Sequence, residues 1–217
     1  MKNEKLLTGP TLTVMLVLCS AWALLASQPT PSQGGWVPIV ANSTKKIYKL
    51  SATGKTLINE TAGVYMRDRN GSIYWRDNPA KGLRANTSQV AMLKDRVSGK
   101  VYRINYGLKT VTTVQDSLPT DRASRAFYAN MIRNHSLGKK TISGVECVGL
   151  AVPDAGGGKP AEMWVAPSLN YLLVDLKTFH DNEEYETILT HVQVGKEPGA
   201  RFFHVPDGFR IISRAAR

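Results

Sequence analysis

Two segments of this 217-residue sequence contain residue types that could bind an ion or a phosphate group. The run Asp68-Arg69-Asn70-Gly71 begins like a calcium-binding loop, but the later bidentate glutamate and the spaced oxygen ligands are missing. The run SATGKT, residues 51–56, ends like a phosphate-binding loop. That loop needs a glycine where Lys49 stands and a helix after it, whereas a strand pattern follows here. Neither segment predicts such a site.

Patterns typical of catalysis are also missing. No Gly-x-Ser-x-Gly nucleophile elbow and no His-Glu-x-x-His occur in the sequence. An active site assembled from distant residues leaves no such pattern. We predict no catalytic residue, no metal ligand and no cofactor, and therefore a protein that is not an enzyme. The histidines, none of which has a metal-type spacing with another ligand, are His135, His180, His191 and His204.

Arginines and aromatic residues alternate in VYMRDRNGSIYWRDN, residues 64–78. Asn-Gly between two alternating runs is the strongest local indication of a β-hairpin, because a type I′ turn needs positive φ at both central positions. We expect a two-residue turn at Asn70-Gly71. Period-two alternation then predicts one largely apolar face and one aromatic, cationic face.

Short alternating segments and one helix make up the remainder of the predicted fold. The segments form a meander up to about residue 115, and strands resume after about residue 140, where KTISGVECVGLAVP is predicted as one strand. Between them, Thr120 suits a helix N-cap, Asp121 suits the first turn and Gly138 suits the end. The helix is predicted to bury one face, the apolar stripe of Phe127, Tyr128, Met131 and Ile132. We count roughly nine to eleven strands. The expected fold is mainly β (α+β): a single curved antiparallel sheet or unclosed β-barrel with helical cover.

The N-terminal 27 residues are predicted to direct export. Lys2 and Lys5 precede the apolar run TLTVMLVLCSAWALLA, and Ala21-Trp22-Ala23 offers a cleavage site for a signal peptide. An uncleaved inner-membrane anchor formed by residues 11–27 and a lipid attached to Cys19 remain as alternatives. All three place the rest of the chain outside the cytoplasm, so we expect a periplasmic or cell-envelope protein.

The remaining chain is predicted to hold a linker and one domain. The run QPTPSQGG opens the linker, which we assign to residues 28–44, and residues 45–217 form the domain. Cys147 is the one cysteine after the export segment, so no internal disulfide is expected.

Positive charge is concentrated in the first part of the domain. Residues 29–140 hold 19 Lys and Arg against 6 Asp and Glu, whereas residues 141–217 hold 7 against 10. The basic half suits an anionic membrane surface, lipid head groups or an acidic envelope protein. The alternative is that these charges are only the solvated faces of strands. For an exported protein, nucleic acid is not an expected partner.

Several short motifs suggest a family. They are an Arg-Asp-x-x-Gly hairpin, an Asp-x-x-x-Gly-x-x-Tyr step, an Ile-x-Gly-Val segment and a C-terminal Gly-Glu-Pro, here with Lys196 inserted after the glycine, followed by Phe-x-Val-Pro and an aromatic residue. Through them the chain resembles secreted bacterial proteins whose fold is similar to the outer-membrane lipoprotein carriers LolA and LolB. The motif residues are Arg67, Asp68, Gly71, Asp95, Gly99, Tyr102, Ile142, Gly144, Val145, Gly195, Glu197, Pro198, Phe203, Val205, Pro206 and Phe209.

The resemblance implies an unclosed antiparallel barrel whose concave apolar face is covered by helices. In the carriers that cavity holds the acyl chains of lipoproteins, while related domains sense damage to the envelope. Two hypotheses follow, a carrier of a lipid or acyl chain and an envelope interaction or stress-sensor module without a small ligand. For the carrier, the candidate lining residues are Val64, Met66, Ile73, Trp75, Val90, Met92, Phe127 and Met131. For the module, the candidate surface residues are Tyr65, Arg67, Arg69, Tyr74 and Arg76.

Overall fold

The computed structural model describes residues 35–78, 89–115, 121–154 and 158–212. Over these residues the chain forms twelve β-strands and one α-helix. The strands are β1 (Ile39–Ser51), β2 (Gly54–Arg67), β3 (Ile73–Asp77), β4 (Val90–Asp95), β5 (Lys100–Asn105), β6 (Thr110–Gln115), β7 (Ser136–Ile142), β8 (Val145–Val152), β9 (Ala161–Ala166), β10 (Leu172–His180), β11 (Glu183–Val194) and β12 (Arg210–Ile212), and the helix is α1 (Asp121–His135).

All twelve strands belong to one sheet, in the order β12-β6-β5-β4-β3-β2-β1-β11-β10-β9-β8-β7. The two end strands do not pair with each other, so the sheet is not closed. Every neighbouring pair is antiparallel except β12, which runs parallel to β6. The predicted fold class, a mainly β protein with a single unclosed sheet and helical cover, is confirmed.

Two details of the strand pattern differ from the prediction. The segment KTISGVECVGLAVP, which the sequence indicates as one strand, forms the hairpin of β7 and β8. Ser143 and Gly144 connect its strands with φ of 51° and 80°, as a type I′ turn requires. The helix ends at His135, three residues before the predicted end at Gly138, because β7 begins at Ser136. Thr120, the predicted N-cap, lies outside the described residues.

The domain begins earlier than predicted. Residues 39–44, the last part of the predicted linker, belong to β1. They pair on both sides, with β2 and with β11, and Ile39 and Ala41 are buried. Burial of these side chains places the segment in the core and not in a solvated connection. The predicted export segment, residues 1–27, lies outside the described residues.

Separate parts of the chain cover the two faces of the sheet. On one face, α1 packs against β7 and β8, and Met131 belongs to one buried cluster with Leu150 and Val165. On the other face, a 3-10 turn at Ala200–Phe203 covers β3, β4 and β5, and Phe202 contacts Tyr74 with ring centroids 5.3 Å apart. We call the first of these the helix face and the second the far face.

Cys147 lies in the core between β7 and β9, and its side chain is inaccessible to solvent. Burial raises the pKa of its thiol to about 11, so almost no thiolate is present near neutral pH. We expect the Cys19→Ser variant, in which Cys147 is the one cysteine, to resist thiol reagents when folded and to react fully in urea. The extent of labelling is measured from the absorbance of the product that the thiol reagent releases. Fast labelling of the folded protein would contradict the burial of Cys147.

Candidate functional site

The loop between β2 and β3 determines which way the side chains of the hairpin point. Five residues, Asp68–Ser72, connect the two strands. One carboxylate oxygen of Asp68 accepts hydrogen bonds from the backbone N–H groups of Asn70 and Ser72, at 2.9 and 2.8 Å. The Asp68 N–H in turn donates to the Ser72 carbonyl at 3.1 Å. This network holds a loop longer than the predicted two-residue turn.

The length of the loop sets the register of the strands. Tyr65 lies opposite Trp75, and Met66 lies opposite Tyr74. A two-residue turn at Asn70-Gly71 would instead place Met66 opposite Trp75. Because side chains alternate along a strand, a shift of one residue moves them to the other face of the sheet relative to the partner strand. The predicted turn is wrong, and so is the apolar face predicted from it, which combined Val64, Met66, Ile73 and Trp75.

A cavity of about 430 Å³ lies between α1 and the helix face of the sheet. Its volume is within the range that small-ligand pockets usually have. The apolar and aromatic residues that line it are Trp36, Tyr65, Ile73, Trp75, Tyr128, Tyr171, Leu172, Leu173, Val174, Leu176 and Leu189. The cationic ones are Lys45, Arg67, Lys94, Arg96 and Arg125, and the others are Ser43, Gly71, Ser124, Asn170 and Thr187.

The apolar wall of the cavity is formed largely by β10 and the turn before it. Tyr128 of α1 stacks on Tyr171, with ring centroids 5.1 Å apart and ring planes 11° apart. Asn170 and Tyr171 follow a 3-10 turn at Pro167–Leu169 and have φ of 55° and 56°. Two consecutive side chain-bearing residues in the left-handed region are strained, and such strain is concentrated at functional sites. The turn thereby holds Tyr171 against the helix.

Positive charge gathers at the end of the cavity nearest the loop Asp68–Ser72. The guanidinium groups of Arg67 and Arg96 lie over the indole ring of Trp36, with their central carbons 5.1 and 5.3 Å from its centroid. Lys94 extends from β4 beside them and is half-buried. Burial lowers the pKa of Lys94, and the charge of Arg96 lowers it further. We call Trp36, Arg67, Lys94 and Arg96 the cationic end.

Arg67 is a structural part of this end. Its side chain is 1% exposed. Nε and Nη2 donate to the Val37 carbonyl at 3.1 and 3.0 Å, and Nη1 donates to the Leu169 carbonyl at 2.9 Å. Burial lowers its pKa, yet an arginine stays protonated in proteins. Arg67 therefore joins the chain before β1 to the 3-10 turn, and its side chain forms part of the cavity wall.

Two polar atoms in the cavity wall have no hydrogen-bond partner among the described residues. They are Oγ of Ser43, a residue that is 5% exposed, and Oδ1 of Asn170. A buried polar group without a partner costs about 1–3 kcal/mol, and in native proteins most such groups are satisfied by protein, water or ligand. The wall therefore retains hydrogen-bonding capacity for a bound molecule.

Of the hairpin residues predicted to line a ligand site, the structure places two in the cavity. Ile73 and Trp75 line it. Val64 and Met66 lie on the far face, where they pack against the core around Tyr74. The reason is the register described above. Whether Ile73 and Trp75 contact a ligand stays a prediction.

The other predicted lining residues are outside the cavity wall. Met92 lies opposite Trp75 on the helix face, and Val90 is two residues away on the same face. Met131 is buried between α1 and the sheet, and Phe127 is 50% exposed. Helix periodicity predicted that these two residues share a buried face, whereas the structure buries only the Met131 side of the stripe.

The predicted cationic outer surface does not form. Tyr65 and Arg67 are on the helix face, whereas Tyr74 and Arg76 are on the far face, and Arg67 and Tyr74 are each 1% exposed. Arg69 is exposed and forms an ion pair with Glu197 at 2.7 Å. Buried side chains cannot form an exposed patch. The hypothesis of an interaction module therefore loses the binding surface that the sequence predicted for it.

Sequence reasoning missed the residues of the cationic end other than Arg67. In QVAMLKDRV, the alternation that pointed to Val90 and Met92 continues to Lys94 and Arg96 on the same face. That pattern could have indicated two of them. Trp36 lies in the segment predicted as a linker, where a lone tryptophan indicates a buried anchor more than a flexible chain.

Neither a metal site nor a membrane helix is found in the described part of the chain. There, no three His, Cys, Asp or Glu side chains are arranged to hold a metal ion. Within the same ranges, no helix is long and apolar enough to cross a membrane.

Comparison with known proteins shows similarity in fold and not in sequence. No protein-family model matches the sequence, and no curated protein is similar to it. The fold is shared with a solved bacterial structure. An uncharacterized conserved protein of Thermus thermophilus aligns with a TM-score of 0.52 and 7% identity, over 90% of this chain and 99% of that one.

Two further solved structures align over most of their length with lower TM-scores. LprF of Mycobacterium bovis matches with a TM-score of 0.35 and 15% identity, over 88% of this chain and 98% of that one. A LolA superfamily protein of Nitrosomonas europaea matches with a TM-score of 0.34 and 9% identity, over 76% and 89%.

Proposed function

We propose that this protein binds a lipid or another hydrophobic ligand in the cavity between α1 and the sheet, and that it catalyses no reaction. The observation that supports this most is the composition of the wall, in which eleven of 21 residues are apolar or aromatic. A cavity of this kind with a few polar groups at one end is typical of ligand pockets.

The cellular setting of the proposal comes from the sequence. An export segment at residues 1–27 would deliver the domain to the periplasm or cell envelope, or hold it at the inner membrane. In that compartment the ligand would be a membrane lipid or the acyl chain of a lipoprotein. A carrier role follows if the domain leaves the membrane with its ligand enclosed.

The proposal is tested by filling the cavity. Thr187 is a half-buried wall residue on β11, opposite Leu176 and Lys45, so a tryptophan there would occupy cavity space without replacing a core side chain. We expect native mass spectrometry of the protein purified from a bacterial periplasm to show bound lipid. In the Thr187→Trp variant we expect the fraction of protein with bound lipid to fall at least about tenfold, because the new ring competes with the ligand for the same volume.

Thr56→Trp is the matched control, because Thr56 is exposed near the start of β2 and does not line the cavity. It introduces the same side chain and should leave the bound lipid unchanged. Absence of lipid from the wild-type protein, both as purified and after incubation with lipid vesicles, would overturn the proposed function.

A further inference from the structure

We propose that the cationic end binds the acidic head group of an amphiphile, a carboxylate or a phosphate, while the ligand's tail lies along the apolar wall. This inference rests on the proposed function and adds to it the chemical class of the ligand. It makes Lys94 the residue that contacts the anion directly, with Arg67 and Trp36 as positioning residues.

The charged side chains in the cavity wall are all positive. Five of the described wall residues are cationic, and no described wall residue carries a carboxylate. One of the five, Lys45, has an ion pair with Asp77 outside the wall. A cleft lined by side chains of one charge sign focuses the electric field and attracts ions of the opposite sign. The cavity therefore favours an anionic ligand over a neutral one of the same shape.

Lys94 directs its charge into the cavity. It lies opposite Ile73 in the pairing of β3 and β4, so its side chain extends over the helix face into the cavity. No carboxylate of a described residue lies within ion-pair distance of its ammonium group. On this strand, the neighbouring Arg96 is held against the ring of Trp36. Lys94 is thus the cation at this end with its charge directed at the cavity space.

Hydrogen-bonding capacity at the cationic end suits the same class of ligand. Asn170 follows Leu169, whose carbonyl accepts from Arg67, so Asn170 lies at the cationic end. Its side-chain amide lines the cavity with the oxygen unpartnered. A head group that combines an anionic oxygen with a hydroxyl or a water could bond to both Lys94 and Asn170. The tail would then pass Tyr65 and Trp75 toward Leu176.

The test compares ligands that share one tail and differ in the head group. Oleate, oleyl phosphate and oleyl alcohol are titrated into the delipidated protein, and their dissociation constants are measured by calorimetry. We expect both anions to bind at least about tenfold more tightly than the alcohol, because a charge-assisted hydrogen bond is worth about that factor or more. The ratio between oleate and oleyl phosphate distinguishes a fatty acid from a phospholipid as the natural ligand type.

Lys94→Met and Lys100→Met form the matched variant pair. Both remove one lysine charge, but Lys100 is exposed on β5 and lies outside the cavity wall. We expect Lys94→Met to lose the preference for the anions and to keep its affinity for oleyl alcohol. We expect Lys100→Met to behave like the wild type. Urea unfolding should show Lys94→Met to be at least as stable as the wild type, because methionine removes a half-buried charge.

The outcomes separate this inference from the proposed function. Equal binding of the anions and the alcohol by the wild type, or an unchanged preference in Lys94→Met, would overturn the head-group site and leave the hydrophobic cavity in place. Failure of all three ligands to bind would overturn both. A preference for the anions that is lost equally in Lys100→Met would assign the effect to net charge and not to this site.

Discussion

Replacing Arg67 with alanine is expected to lower the free energy of unfolding by about 3–5 kcal/mol. The substitution removes the hydrogen-bond donors to the buried Leu169 carbonyl and the partly buried Val37 carbonyl, and each loss costs about 1–3 kcal/mol. It also leaves a void where a fully buried side chain stood. Because a charge buried away from water is itself unfavourable, removing the guanidinium group offsets part of this cost. Urea unfolding followed by tryptophan fluorescence measures the difference.

Two further variants show whether the hydrogen bonds of the Arg67 guanidinium are responsible for the lost stability. Arg67→Lys keeps the charge but cannot bond both carbonyls with a planar guanidinium, so we expect a loss of about 1–3 kcal/mol. Arg69→Ala, two residues away, removes an exposed ion pair with Glu197 and should cost less than about 1 kcal/mol. Equal stability of Arg67→Ala and Arg69→Ala would mean that the carbonyl bonds of Arg67 contribute nothing to the fold.

The buried position of Arg67 could not be read from its sequence neighbours. In the sequence it is one of three arginines in a polar, aromatic hairpin, where an exposed cationic face is the ordinary expectation. Its partners are backbone carbonyls 30 and 102 residues away along the chain. Carbonyl acceptors have no side-chain identity, so no residue type in the sequence indicates that they will be there.

The fold class, in contrast, follows from local patterns. Period-two alternation and turn residues predict the meander from β2 to β6, and the helical stripe predicts α1. These signals depend on residues a few positions apart. The hairpin of β7 and β8 was missed although Ser143-Gly144 allows a tight turn, because the apolar residues run through it without a polar interruption.

The cavity is the part of the site that local patterns predict least. Its wall brings together residues from before β1, from the β2 to β4 region, from α1 and from β10 and β11. Strand alternation predicts which residues share a face of one strand, but only the register between strands decides which faces coincide. The five-residue loop Asp68–Ser72 shifts the pairing by one residue relative to a two-residue turn. This shift places Tyr65 and Arg67, in place of Val64 and Met66, on the helix face.

Asp68 is the residue that fixes this register, so its removal is expected to have a large effect. The side chain is 9% exposed and bonds two backbone N–H groups of the loop. Asp68→Ala leaves both donors without their acceptor, and we expect a loss of about 2–4 kcal/mol in the free energy of unfolding. Asp68→Asn retains a carbonyl oxygen that can accept the same bonds, so we expect less than about half of that loss.

The same pair of variants connects the loop to the cavity. Gly71, which Asp68 holds in place through the loop, lies against the indole of Trp36, and a Cβ there would overlap the ring. Displacement of the loop should therefore move Trp36 away from Arg67 and Arg96 and weaken the cationic end. We expect Asp68→Ala, measured where it is still folded, to lose affinity for oleate more than for oleyl alcohol. Asp68→Asn should retain the preference. Asp68→Ala with unchanged stability and unchanged preference would show that the strand pairing, and not the Asp68 network, determines the register.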